Sequence, residues 1–70
     1  MMPFILAEEG EWNTIKKTGG TPEVKRHLET LGFTEGSDVM IVGRVGDNVI
    51  ARVKDSRIAI SGEMARKIMI

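Results

Sequence analysis

The clearest hydrophobic pattern lies in the segment TPEVKRHLETLG, residues 21–32. Three apolar residues recur there at the i, i+4 and i+7 spacing of one helical face: Val24, Leu28 and Leu31. Thr21 is a good N-cap, and Pro22 suits the first helical position. The pattern therefore predicts an α-helix over residues 22–31, whose charged side chains face away from the apolar stripe.

The rest of the chain is divided by glycine and Asp/Asn/Ser turns into short runs rich in β-branched residues, which favour strands. The predicted strands are residues 12–17, 38–45, 49–53, 57–60 and 68–70. The tight turn GDN separates the second strand from the third. The run VIARV alternates, so Val49, Ala51 and Val53 are expected on one buried face. Ser61 is expected to cap a single helical turn before the last strand.

This order of elements predicts a mainly β fold. We expect a small SH3-like β-barrel of five or six short strands, with one α-helix inserted after the first strand. Residues 1–70 are expected to form a single domain, since the chain is too short for two. A five-stranded OB-fold with one helix is the nearest alternative.

The stretch LGFTEG forms the corner between the helix and the next strand. Gly32 is placed where a left-handed residue commonly ends a helix, and Gly36 is placed in the following turn. Phe33 comes directly after Gly32, where an apolar residue often packs back on the last helical turn. Gly32 and Gly36 are therefore predicted structural turn residues.

Composition argues against several kinds of function. Ten basic residues balance ten acidic ones, and only three aromatic residues are present, which disfavours a nucleic-acid partner. There is no cysteine, so neither a disulfide nor a thiolate metal site can form. No apolar run approaches the roughly 20 residues that span a bilayer, so direct membrane insertion is not expected.

Candidate chemistry is equally sparse. His27 is the single histidine, and it lies beside the apolar stripe of the predicted helix. A metal site needs three or four converging ligands, and no such spacing is present. No nucleophile–base pair or phosphate-binding glycine loop occurs either. The sequence predicts a protein that is not an enzyme, has no cofactor or dedicated metal ligands, and acts by binding a partner.

The stretch LETLGFTEGSDVMIV, followed at the C-terminus by IAISGEMARKIMI, resembles the FeoA family of ferrous iron transport accessory proteins. The resemblance covers essentially the whole chain. Glu35 stands where that family usually has proline, and the hairpin RVGDNVI looks shorter than the usual loop. The resemblance implies an SH3-like barrel in the cytoplasm. It also implies contact with FeoB, the membrane ferrous iron transporter with a cytosolic GTPase region, and recruitment by it to the inner face of the membrane.

The polar face of the helix and the adjoining corner form the hypothetical partner surface. Its residues are those expected to be presented to solvent there: Lys25, Arg26, Glu29, Phe33 and Glu35. Two other functions are left open, a small metal-binding or metal-sensing domain in weak contact with ferrous iron, and a nucleic-acid-binding barrel. The oligomeric state is open as well.

Overall fold

The structure is a computed structural model that describes all residues, 1–70. Nine short elements follow one another along the chain: a 3-10 turn Phe4–Leu6, β1 Asn13–Thr14, β2 Lys17–Thr18, α1 Pro22–Leu31, β3 Asp38–Val45, β4 Asn48–Val53, β5 Ser56–Ser61, α2 Gly62–Ala65 and β6 Ile68–Met69. The predicted mainly β fold with one principal helix is therefore confirmed. The 3-10 turn was not predicted.

The strands form two antiparallel sheets. One has four strands in the order β1-β3-β4-β5, and the other pairs β2 with β6. The prediction of a single strand over residues 12–17 is wrong, because this segment is divided between β1 and β2, which belong to different sheets. Consequently α1 follows the second strand and not the first. The division falls at Ile15, whose side chain is buried while its backbone bonds to the corner after α1.

The helix α1 has the predicted bounds, Pro22–Leu31. Thr21 Oγ1 accepts a hydrogen bond from the Val24 amide at 3.3 Å, which satisfies one of the unpaired donors at the start of the helix. Leu28 is fully buried, while Val24 and Leu31 are half-buried and pack against the core. The apolar stripe is thus confirmed, with Leu28 at its centre.

The end of α1 is a Schellman motif. Gly32 has φ 103°, the left-handed conformation that only glycine adopts without strain. The Gly32 amide donates to the Glu29 carbonyl and the Phe33 amide to the Leu28 carbonyl, both at 2.9 Å. Phe33 then turns into the core, where it is fully buried. The left-handed conformation predicted for Gly32 is confirmed, and Phe33 occupies the position directly after it at the helix end.

One hydrophobic cluster of 14 buried residues forms the core. β4 contributes Val49, Ala51 and Val53 from its inner face, as its alternation predicts. Phe4 from the 3-10 turn and Phe33 from the corner are the largest buried side chains. Each stabilises the fold by about 1.5–3 kcal/mol relative to an exposed position.

The one-turn helix α2 has the predicted cap, since Ser61 Oγ accepts a hydrogen bond from the Met64 amide at 3.1 Å. Gly62 approaches the turn between β3 and β4 closely, and its amide donates to the Asp47 carbonyl at 2.7 Å. A Cβ atom at Gly62 would lie 2.7 Å from that same oxygen. Glycine is therefore required here by space and not by φ.

We expect Gly32→Ala to lower the free energy of unfolding by about 1 kcal/mol or more, because alanine is strained at this positive φ. Gly43→Ala is the matched control, since Gly43 lacks a positive φ and its added Cβ would meet only Ile50 Cδ1 at 4.0 Å. Chemical denaturation of both variants checks this. Equal stability of Gly32→Ala and the parent would contradict it.

We expect Gly62→Ala to destabilise the protein by about 1–3 kcal/mol, because backbone must move to relieve the contact with the Asp47 carbonyl. Gly19→Ala serves as the control, since its Cβ would meet the Lys67 carbonyl at an ordinary 3.5 Å. Thermal unfolding of the two variants decides the point. If the Gly62→Ala variant is as stable as the Gly19→Ala variant, the expectation is contradicted, and the β3–β4 turn can move at little energetic cost.

Candidate functional site

The predicted surface residues divide into an exposed and a buried group. Lys25, Arg26 and Glu29 are exposed on α1, and Glu35 is exposed in the corner. Phe33 is fully buried and belongs to the hydrophobic cluster. The expectation that Phe33 belongs to an exposed partner surface is therefore wrong, because its apolar ring is buried in the core beneath the corner.

Three of the remaining four predicted residues line one open cleft of about 340 Å³ between α1, β2 and the corner. We call it the α1 cleft; all six of its lining residues are polar or charged: Lys17, Thr18, Lys25, Glu29, Thr34 and Glu35. Arg26 is exposed on the same helix but does not line the cleft. The structure thus brings Lys25, Glu29 and Glu35 together and leaves Arg26 outside.

The charges of the α1 cleft are not committed to ion pairs within the protein. Two lysines and two glutamates line it, yet the one ion pair of the chain joins Arg44 and Glu9, with 3.9 Å between Nε and Oε1. Such exposed charges add little to stability, since even when paired they would contribute only about 0–1 kcal/mol. They are better suited to recognition of a partner.

The corner that forms one wall of the cleft is held by a compact set of hydrogen bonds. The Gly36 amide donates to the Ile15 carbonyl at 2.8 Å, and the Ile15 amide donates to the Ser37 carbonyl at 2.9 Å. The hydroxyls of Thr34 and Ser37 bond to each other at 2.7 Å. Gly36 has φ 86°, which supports its predicted role as a turn residue. The wall is consequently rigid, as binding loops on a firm scaffold often are.

Sequence reasoning missed three cleft residues, Lys17, Thr18 and Thr34. Lys17 reaches the site only because β2 pairs with β6 beside the helix, with Lys17 opposite Met69. No local periodicity signals that arrangement. Thr34 belongs to the corner LGFTEG, and a polar residue between two turn glycines is the one signal that could have identified it.

A second open surface surrounds Trp12. About 500 Å³ of open space is lined by Trp12, Ser37, Asp38 and Lys54. Trp12 is 49% exposed, and the Arg52 guanidinium carbon lies 6.0 Å from its ring centroid, within the range of a cation–π contact. Lys54 Nζ donates to Ser37 Oγ at 3.3 Å and so links the β4–β5 turn to the corner.

Metal ligands do not cluster anywhere in the chain. No group of three or more His, Cys, Asp or Glu side chains is placed to hold a metal ion. His27, the single histidine, is exposed on α1. None of the helices has both the length and the apolar character needed to cross a bilayer.

Comparison with known families and structures gives one consistent result. The family model described as FeoA domain matches residues 2–70. No curated protein sequence matches the chain. Among solved structures, FeoA from Stenotrophomonas maltophilia, complexed with zinc, is 20% identical with TM-score 0.84, covering 99% of this chain and 88% of that one. It is described as a prokaryotic SH3 domain protein, which confirms the predicted SH3-like fold.

Two further structures are similar over nearly the whole chain. FeoA from Chlorobium tepidum is 17% identical with TM-score 0.88, covering 97% of this chain and 67% of that one. Iron(II) transport protein A from Clostridium thermocellum is 23% identical with TM-score 0.90, and the match spans 97% of this chain but only 43% of that one. At these sequence identities the similar structures establish a shared fold and do not establish a shared activity.

We expect the isolated protein to bind ferrous iron only weakly, because His27 belongs to no group of three or more candidate metal ligands. Anaerobic calorimetry with ferrous iron, and with zinc as a redox-silent substitute, measures this. A stoichiometric, submicromolar site would contradict the expectation. The His27→Ala variant would then show whether the histidine contributes to it.

Proposed function

The chain belongs to the FeoA family, and from this premise we propose that it is an accessory protein of ferrous iron uptake. It acts by protein–protein contact with the cytosolic region of a FeoB-type membrane transporter, including its GTPase region. Similar structures are described as an iron uptake regulatory protein and as an SH3 domain protein proposed to act as a ferrous iron transport activating factor, which supports the iron-related part of the proposal. In this function residues 1–70 act as one FeoA-like domain.

The proposed contact with the transporter is based on the geometry and charge of the α1 cleft. It combines unpaired lysines and glutamates with a rigid wall, and its three predicted residues come from a helix and a corner held on one core. Charges at the rim of an interface steer encounter and select partners more than they add affinity. A regulatory adaptor needs such selectivity, because it must release its partner as well as bind it.

The proposal places the protein at the cytosolic side of the membrane. Its own helices provide no membrane span, so the transporter would recruit it to the inner face. Neither a cofactor nor a catalytic residue is required, since the proposed effect is exerted by docking on the transporter. The protein is accordingly proposed to be no enzyme.

The direct test is binding to the transporter's purified cytosolic domain, measured by biolayer interferometry with the domain empty, GDP-bound or loaded with a non-hydrolysable GTP analogue. We expect saturable binding whose affinity changes with the nucleotide state. GTP hydrolysis by the domain is measured in parallel with and without this protein. Absence of binding in all three states, with a folded domain, would overturn the proposal.

The double substitution Lys25→Glu with Arg26→Glu should weaken binding to the transporter domain about tenfold or more, since it reverses the charges of both Lys25 and Arg26 on α1. The melting temperature should change little, because each exposed charge contributes less than about 1 kcal/mol. Differential scanning fluorimetry and the same binding assay measure the two effects.

Two controls sharpen this test. Arg26→Glu alone reverses a charge outside the α1 cleft, so it should weaken binding less than Lys25→Glu alone. Arg66→Glu reverses an exposed charge just after α2 and should leave binding unchanged. If the double variant binds like the parent, the exposed face of α1 is not the interface.

A further inference from the structure

The outer face of the four-stranded sheet carries a row of three directly opposed residues. Met40 on β3 faces Arg52 on β4, and Arg52 faces Arg57 on β5. Opposed residues of antiparallel strands point to the same side of the sheet. Their neighbours Val39, Ala51 and Val53 are buried, so this row points outward.

Arg52 and Arg57 form an unfavourable pair within the protein. Both side chains are exposed, and like charges directly opposite on adjacent strands are destabilising. Neither has a carboxylate within ion-pair distance, because the one ion pair of the chain lies elsewhere. Arg52 is instead placed over the ring of Trp12, itself half exposed. Neither guanidinium group therefore has an anion beside it, and that of Arg52 lies over an exposed aromatic ring.

The strand that carries Arg57 is also the open edge of its sheet. β5 pairs with β4 alone, and the two are joined by the two-residue turn Lys54–Asp55, with Val53 opposite Ser56. In such a hairpin alternate residues bond to the partner strand, which directs the backbone groups of Arg57 and Ala59 away from β4. No loop or turn hydrogen bond reaches either residue.

We propose that the β5 edge binds an extended acidic segment of a protein partner, which adds to the sheet as a further strand. The backbone groups of Arg57 and Ala59 pair with the segment, as in other cases of strand addition. A carboxylate of the segment lies beside Arg57 and Arg52, where a guanidinium can bind it through two hydrogen bonds. This anion removes the repulsion that the unbound sheet carries.

The register also specifies the neighbouring residue of the segment. Two positions along from Arg57, the outward residue of β5 is Ala59, opposite the half-buried Ile50 on β4. Ala59 is small and exposed, and Ile50 lies beyond it on β4. An apolar side chain two residues from the acidic one would pack over Ala59 toward Ile50, so the recognised pattern is acidic–any–apolar in a strand.

The charge of β5 argues for an acidic segment of another protein at this edge and against a second copy of the chain. β5 has the sequence SRIAIS, without an acidic residue. Pairing of two β5 strands would therefore bring Arg57 no carboxylate from the strand itself. An acidic strand of another protein satisfies both the backbone groups and the two arginines.

The probe is a synthetic ten-residue peptide with glutamate and valine alternating on one face and threonine on the other. It is titrated into the ¹⁵N-labelled full chain and followed by NMR. We expect shift changes centred on the amides of Arg57 and Ala59, with slower hydrogen exchange at both. A glutamine-for-glutamate peptide should bind at least about tenfold more weakly, and a peptide N-methylated at alternate residues should not bind.

The variant Arg57→Glu separates binding from stability. It replaces a like-charged pair by an opposite-charged one, so the melting temperature should rise by about 1–5 °C. Binding of the acidic peptide should nevertheless fall at least about tenfold. Arg66→Glu, with an equal change of charge outside the sheet, should leave peptide binding unchanged.

Several results would overturn the proposal. Equal binding of the glutamine peptide, or of the acidic peptide by Arg57→Glu, would remove the role of the arginines. Shift changes centred away from β5 would place the peptide elsewhere. Tighter, competing binding of an oligothymidylate would identify a phosphate-binding surface instead. Protection of the β5 amides that rises with protein concentration alone would indicate pairing between copies.

Discussion

The fold is organised around the burial of Phe33 directly after the left-handed Gly32. The Phe33 amide closes the last turn of α1 while its ring enters the core. Helix and sheet are thereby joined through adjacent residues, so α1 can neither slide nor rotate without exposing a large apolar ring. The α1 cleft has a fixed shape for this reason, since α1 and the corner form its walls.

A chain of 70 residues without cysteine has only its packing and backbone hydrogen bonds to hold it. Short chains bury a smaller share of their surface than long ones, and one cluster of 14 buried residues forms the whole core. Both proposed recognition surfaces lie outside this cluster. The α1 cleft offers mixed charges, and the β5 edge offers the unpaired backbone groups of Arg57 and Ala59 beside the side chains of Arg57 and Arg52. These surfaces lie on different elements, so each can be altered separately.

The candidate site was predictable where it depends on local periodicity. Lys25 and Glu29 follow from the helical spacing, and Glu35 follows from the turn between Gly32 and Gly36. Phe33 shows the limit of this reasoning, because the rule that packs an apolar residue on the helix end also removes it from the surface. Lys17 joined the cleft through pairing with a strand some 50 residues away, as its partner Met69 shows.

The amino-acid sequence was enough to predict the bounds of α1, its capping by Thr21 and Gly32, the alternation of β4 and the cap of α2. These features depend on residues within a few positions of one another, where spacing and backbone preference decide the outcome. The division of residues 12–17 between two sheets, and the pairing of Arg52 with Arg57, became apparent only in the folded structure. Strand pairing and register arise from core packing between distant segments, so neighbouring residues alone do not specify them.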